Sequence, residues 1–346
     1  MKYNQKNYLD PINNWTKTEI IVSPGPNNIL IGCTYLGITS FFIFIQIMTF
    51  IVSLINMLSY LSFKTFYKKK NLMSNMPFRI MRHLGVSDII QQSIHFTSAF
   101  YTIFLFSTNS IIVNCLASIL QSAYITSVAF ITLLTINRFD VFYQQPFLSF
   151  VNRKILFNCG IVICYICLIL LIIFYMIPSF RLTFTLVNYG WLYQSKKNMW
   201  TPAWEVENKT VTFLLLLSFI LYVLIFCKIV YMRSATSSLS KIQFSDIRIL
   251  AQGIFNFLSI VFLEWAWRYL PNIVGEQYTC ATVLNYFFLF VSGNNTLSGL
   301  LLIKEIRNEI WNLIMCCFFK TPVKTSTSLK HFKRIINADV NVRHIS

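Results

Sequence analysis

The residues of this chain that could do chemistry are few, and they stand where charge is costly. Asp88 lies in Leu84-Gly85-Val86-Ser87-Asp88, inside an apolar run. An ionisable group held there needs a partner or a role. Asn294 and Asn295 sit at a comparable depth in another run and are its natural hydrogen-bond partners. The set reads either as a polar knot between helices or as a sodium- or proton-sensitive switch. Arg138 closes a third run in Asn137-Arg138-Phe139, with Asp140 and Asp246 as its candidate acidic partners. A guanidinium in that place either snorkels to lipid headgroups or uses its planar fork to bond several carbonyls of a partner. Glu264 and Arg268 are i,i+4 neighbours on a further run, an interfacial ion pair or a pocket acid for a polar ligand.

Other chemistries are missing. Nine cysteines are an odd number, and Cys159, Cys164, Cys167 and Cys227 lie within apolar runs, so they form no disulfide framework. Four scattered histidines give no metal-ligand spacing, and no nucleophile–base constellation is present, so neither a metal, another cofactor nor an enzymatic activity is expected.

The elements that must position these groups are set by composition. Of 346 residues, 55% are hydrophobic and 12% charged, against about 25% charged in soluble domains. The apolar runs reach 20 residues or more, long enough for helical spans and without the alternation of barrel strands. Seven spans fit: about 29–61, 78–106, from 111 to 136, 155–177, 211–231, 247–270 and 279–303. An all-α membrane protein follows, a seven-transmembrane helix bundle over 29–303 between a polar N-terminal segment, 1–28, and a basic tail, 320–346. Span six is interrupted by Gln252, Asn256, Glu264 and Arg268.

The net charge of +17 raises the question of nucleic acid. Lys64 to Lys70, Arg79, Arg82, Arg153, Lys241 and the residues from Lys304 to Arg343 each adjoin an apolar run instead, so the charge encodes topology and no nucleic-acid partner is expected. With the N-terminus outside, 21 of the 29 Lys and Arg fall on the inner side and 8 on the outer, as the positive-inside rule requires. The sequons at Asn14 and Asn208 then lie outside as candidate glycosylation sites, and the one at Asn294 lies within span seven. The first 28 residues show no signal peptide, so the first run is expected to insert uncleaved.

Beyond span seven, Ile306, Ile310 and Leu313/Ile314 recur at helical spacing with charges opposite. This predicts an amphipathic interfacial eighth helix over 304–319. Cys316 and Cys317 at its end are candidate palmitoylation sites, and the tail is expected to be disordered beside an anionic leaflet. Between spans four and five, Trp191, Tyr193, Trp200 and Trp204 are interface anchors or a cover for a pocket.

Pro77-Phe78-Arg79-Ile80-Met81, Leu84-Gly85-Val86-Ser87-Asp88 with Gln91, and Leu133-Leu134-Thr135-Ile136-Asn137-Arg138-Phe139 together resemble the nematode serpentine chemoreceptors, class T and the related class X. Weaker similarity runs through Ala251-Gln252, the Asn295 region and Ile306-Arg307. The resemblance implies a plasma-membrane G-protein-coupled receptor, by analogy in sensory cilia. It would bind a small external molecule, and Asp88, Asn137, Arg138, Asp246 and Asn295 would serve coupling and switching toward a heterotrimeric G protein. Pocket candidates are Gln121 and Tyr124, on one helical face beyond Leu120, with Glu264, Trp265 and Asn285. The chain departs from rhodopsin-like receptors at Asn295-Thr296-Leu297-Ser298-Gly299, which lacks the proline and tyrosine of the usual motif. Cys115 has no cysteine in the loop between spans four and five, leaving Cys33 and Cys280 as outer candidates for pairing. Leu120 and the absence of a span-seven lysine disfavour amine ligands and retinal. The rival expectation is a polytopic transporter or ligand-gated channel.

Overall fold

A backbone surrounded by Leu, Ile, Val and Phe has only its own carbonyls to bond, and over 20 or more residues the helix is the conformation that satisfies them all. The computed structural model describes residues 4–9, 16–21, 26–63, 76–106, 111–143, 152–186, 189–193, 202–235, 244–274 and 277–304, with 306–308, 310–311 and 315 beyond. Among the described residues are seven long helices: α1 (Pro26–Phe63), α2 (Met76–Phe104), α3 (Ile111–Tyr143), α4 (Arg153–Met176), α5 (Pro202–Ala235), α6 (Phe244–Val274) and α7 (Gln277–Leu302). Two antiparallel hairpins accompany them, β1 (Asn4–Leu9) with β2 (Thr16–Ile21) and β3 (Leu182–Thr185) with β4 (Gly190–Tyr193).

Local signals set several ends. Pro77 and Pro202 occupy first turns, where the missing N–H is not needed. Asn152 caps α4, its Oδ1 accepting from Lys154 N at 3.0 Å, and α4 stops before Pro178. Pro271 does not end α6, which continues to Val274. α3 runs seven residues past Ile136 to Tyr143, so Arg138 and Asp140 lie within it.

Side-chain contacts fix the direction of each helix. Tyr35 meets Tyr286, and Gln46 meets Ser292, so α1 and α7 run the same way. Thr132 and Tyr143 meet Leu214 and Leu224, so α3 and α5 do too. Leu133 of α3 packs at Gly160 of α4 while Asp140 pairs with Arg153, an antiparallel match. α6 opposes α7 through Gln252 with Asn295 and Ser259 with Asn294. α2 opposes α7 through Asp88 with Asn295 and Gln92 with Ser292. The helices therefore alternate in direction, with α3 at the centre against α2, α4, α5 and α6.

Polarity is distributed inside out. Asp88, Gln91, Gln92, His95, Gln121, Asn256, Asn285, Asn294 and Asn295 are buried, while Ile163, Ile166, Leu170 and Ile173 of α4, Phe213, Leu216, Phe219 and Phe226 of α5, and Phe255, Leu258 and Phe262 of α6 face outward. An apolar exterior this extensive matches a hydrocarbon solvent. Among the described residues, five segments are long and apolar enough to cross a membrane: Asn27–Val52, Ile111–Tyr143, Arg153–Met176, Ala203–Tyr231 and Ile247–Pro271. In α2 and α7 the apolar content is diluted, by Arg79, Arg82, Asp88 and His95 in one and by Asn285, Asn294 and Asn295 in the other. Asp88, His95, Asn285, Asn294 and Asn295 are buried in the bundle, while Arg79 and Arg82 are half-buried.

After a break at Ile303, helical backbone resumes at Lys304 and through Ile306–Asn308 and Ile310–Trp311. Ile306 and Ile310 are buried against the main core while Lys304, Arg307, Asn308 and Trp311 are exposed; Leu313 and Ile314 of the expected amphipathic helix lie outside the described residues. Asn14, Cys316, Cys317 and the tail lie outside the described residues.

Candidate functional site

The buried polar groups form a tract down the axis of the bundle, from the β3–β4 hairpin at one end to Arg138 at the other. At the hairpin end, Leu182, Phe184, Tyr189 and Trp191 are buried between the helices. Trp191 N–H donates to Asn285 Oδ1 at 3.3 Å and its indole N–H to Ser98 Oγ of α2 at 3.0 Å. Gly190 permits this approach, because a Cβ there would overlap the Asn285 amide. Tyr189 donates its hydroxyl to Asn28 Oδ1 of α1, and Tyr35 O–H donates to the Tyr189 carbonyl at 3.0 Å. The hairpin is thus a plug stitched to α1, α2 and α7.

Beneath it stand two carboxylates. Tyr124 of α3 donates to Glu264 Oε1 of α6 at 2.5 Å. Tyr193 of β4 donates to Glu207 Oε2 of α5, which is only 8% exposed. Burial and the adjacent Glu207 hold the Tyr193 phenol well above its ordinary range, so it stays a donor. Glu207 escapes a reading of the sequence because the apolar run starts at Val211, whereas α5 starts at Pro202; Pro202 followed by Glu205 is the helix-start signal that could have found it. Among the described residues neither Glu207 nor Glu264 forms an ion pair. Arg268, the expected partner of Glu264, donates to Asn208 Oδ1 instead.

Of the five expected pocket residues, Gln121, Tyr124, Glu264 and Asn285 lie at this end, with Tyr124 edge-on to Phe288 and Phe288 edge-on to His95. Gln121 and Asn285 are buried. Trp265 does not belong with them. It follows Glu264 by one residue and so points about 100° away, 46% exposed beside Phe262 and Tyr269 on the outer face. Asn208, expected as a glycan acceptor, sits within α5, half-buried, with Oδ1 also accepting from Thr212. Cys33, Cys115 and Cys280 are free thiols.

The middle of the tract joins α2, α3, α6 and α7. Asn295 Nδ2 donates to Asp88 Oδ2 at 3.1 Å, and Ser127 Oγ donates to Asp88 Oδ1 at 3.4 Å. Asn256 Nδ2 and Gln252 Nε2 donate to Asn295 Oδ1 at 2.9 and 3.2 Å. Asn294 Nδ2 and Ser298 Oγ donate to Asn256 Oδ1 at 3.3 and 3.0 Å, and Gln91 Nε2 donates to Ser127 Oγ at 2.8 Å. Asp88, at 3% exposure, borders a cavity of about 20 Å³ shared with Tyr124, Ser127, Asn256, Asn294 and Asn295, room for one water or small ion. The expected pairing of Asp88 with Asn295 is present.

At the far end Arg138 is 2% exposed and near Tyr222 of α5. Its expected partner Asp140 is committed elsewhere, to Arg153 Nε of α4 at 2.6 Å. Two residues of helix rotate Asp140 about 200° from Arg138, so one helix cannot aim both at the same point. Asp246, the other expected partner, is on α6 with its side chain outside the described residues. Asn137 is fully buried, and neither polar atom of its amide has a partner among the described residues. Arg79, Arg82, Arg153, Lys154, Lys228, Arg248, Lys304 and Arg307 gather toward this end, and Arg181, Lys209 and Arg268 toward the hairpin end. No protein-family model matches the chain, and no curated protein matches it.

Proposed function

We propose that the chain is a seven-span G-protein-coupled receptor, N-terminus outside, that binds a small external molecule beneath the β3–β4 hairpin and engages a heterotrimeric G protein beside Arg138. The observation that carries this reading is the buried polar tract. Groups under the plug (Tyr124, Glu264) lie on the same two helices, α3 and α6, that hold Ser127, Asn256 and Arg138 deeper in the bundle. A ligand touching α3 and α6 at one end therefore acts on elements whose other ends border the coupling face. It favours the state with α6 displaced only by its differential affinity for the two states. The asymmetry of basic residues and the resemblance to serpentine chemoreceptors support the same orientation.

G-protein activation by the full chain against a panel of small polar chemicals tests this reading. Ligand-dependent nucleotide exchange that disappears on Arg138→Ala, with surface expression retained, is the expected result. The transporter or channel reading is favoured by one observation: carboxylates stand at two depths of the same tract, Glu207 and Glu264 above Asp88. Ion flux or solute uptake into vesicles containing the chain alone, lost in Asp88→Asn, would replace the receptor reading with that one.

A further inference from the structure

A second cavity, of about 60 Å³, lies toward the Arg138 end between α1, α2, α6 and α7. By volume it holds about four water-sized bodies. Its walls are apolar at Phe50, Phe78, Met81 and Ile89 and polar at Thr49, Arg82 and Thr296, and Ile306 closes it from beyond α7. Two residues that line it carry an amide oxygen with no donor among the described residues: Gln46 Oε1, in a residue 2% exposed, and Gln252 Oε1, in one 1% exposed. Their amide nitrogens are engaged, Gln46 Nε2 with the Ser292 carbonyl at 3.5 Å and Gln252 Nε2 with the Asn295 carbonyl at 3.1 Å and its Oδ1. Gly85 also lines the space, and a Cβ built on it meets nothing within 4 Å. The room is there because α2 has no side chain at that position.

We propose that this cavity binds the hydroxyl end of a neutral membrane lipid, a lipid alcohol of the sterol or acylglycerol kind. Buried acceptors without donors are costly, so the occupant must bring an O–H; a lipid alcohol donates its one proton to Gln252 Oε1, and a water in the remaining volume donates to Gln46 Oε1 and to the hydroxyl oxygen. A carboxylate or phosphate oxygen brought against two amide oxygens would repel them; Arg82, also on the wall, would attract such an anion, and the fatty-acid probe separates the two outcomes. The apolar walls suit a hydrocarbon body, and Phe50 is also one of the outward-facing residues of α1, so the cavity adjoins the surface that lipid wets. The hydroxyl would be one hydrogen bond from Gln252, which bonds Asn295, which bonds Asp88. The occupant therefore tightens the α6–α7 junction. This site is independent of the receptor reading: a transporter with the same cavity would bind the same lipid.

The test places the full chain in phosphatidylcholine nanodiscs containing a diazirine-bearing sterol or a diazirine-bearing diacylglycerol, with photolabelled residues mapped by mass spectrometry. One of the two alcohols is expected to label α1 or α2 near Phe50 and Met81, saturably, and the arm that does so identifies the source. The methyl ether of that probe, which cannot donate, should label roughly tenfold less. Gln46→Leu should weaken labelling roughly fivefold, the loss of one hydrogen bond, and Gly85→Leu, which fills the space, should abolish it. Equal labelling by alcohol and methyl ether on the unaltered chain overturns the proposal without any variant. Preferential labelling by a diazirine fatty acid, or no saturable labelling by either alcohol, overturns it as well, the latter leaving a cavity that holds only water.

Discussion

Replacing Asn295 with alanine removes three interhelical hydrogen bonds at once, those to Asp88, from Asn256 and from Gln252. In a membrane each is worth roughly 0.6 kcal/mol, with a ceiling near 1.7, so the loss is about 2 kcal/mol. Gln252 keeps its bond to the residue-295 carbonyl, and the small cavity beside Asp88 can admit a water to the orphaned carboxyl oxygen, which holds the loss near that figure. At about 2 °C per kcal/mol for a large domain, the melting temperature of the purified chain should fall by about 4 °C. The decisive measurement is a double-mutant cycle with Asn256→Ala, read from thermal unfolding in detergent, where a coupling of roughly 0.6 kcal/mol or more is expected. Asn295→Ala with Asn285→Ala is the control: Asn285 bonds the hairpin and its own helix, so that pair should be additive within about 0.4 kcal/mol. Additivity in the Asn295/Asn256 cycle, equal to that of the control, would refute the view that α6 and α7 are latched through these amides.

Arg138→Lys and Arg138→Ala should both reach the surface, with G-protein activation falling sharply in Ala and measurably in Lys, since lysine keeps the charge and loses the planar fork; equal, undiminished activation removes Arg138 from the mechanism. Gly293→Ala should cost about 1–3 kcal/mol, because any Cβ there overlaps the Phe42 ring. Adding Phe42→Leu should recover part of that loss, and a strictly additive double variant would show that the two helices do not meet there. Trp191→Phe removes the indole bond to Ser98 and should cost about 1 kcal/mol, with faster hydrogen exchange confined to β3–β4; exchange spread over α2 and α7 instead would mean that the plug is not a separate unit. In microsomes a glycan should appear at Asn14 while tags at Lys69 and the C-terminus stay on the cytoplasmic side, and two termini on the same side would exclude an odd number of crossings.

Helix positions and the central pairing were legible because both follow from rules with one outcome. A long apolar run has only the helix open to it, and Asp88 inside such a run must find a partner of matching depth, which Asn295 supplies. What the sequence alone missed depends on rotation and on loops. Trp265 adjoins Glu264 in the chain, yet a step of 100° carries it to the outer face, and Asp140 likewise turns away from Arg138 toward Arg153. The β3–β4 plug is built from a segment whose alternation, Leu182 and Phe184 in against Thr183 and Thr185, spans only four residues. That is too short to separate a buried strand from a surface loop. Glu207 was lost for a related reason, since hydropathy reports where lipid begins while Pro202 reports where the helix begins.

The dilution of α2 and α7 by buried amides and Asp88, and by the half-buried Arg79 and Arg82, bears on how the protein is made. Leu and Ile along α4 favour lipid outright, whereas Asp88, Gln91 and Gln92 of α2 find their interhelical partners on α3 and α7, which leave the ribosome later. In a seven-crossing chain α2 therefore enters the bilayer with unmet polar groups and waits for helices that close its bonds up to 207 residues further along. Nascent chains cut before α7 should stay bound to insertion chaperones, and a stretch of the bundle cannot be exchanged as a module without carrying its polar partner with it.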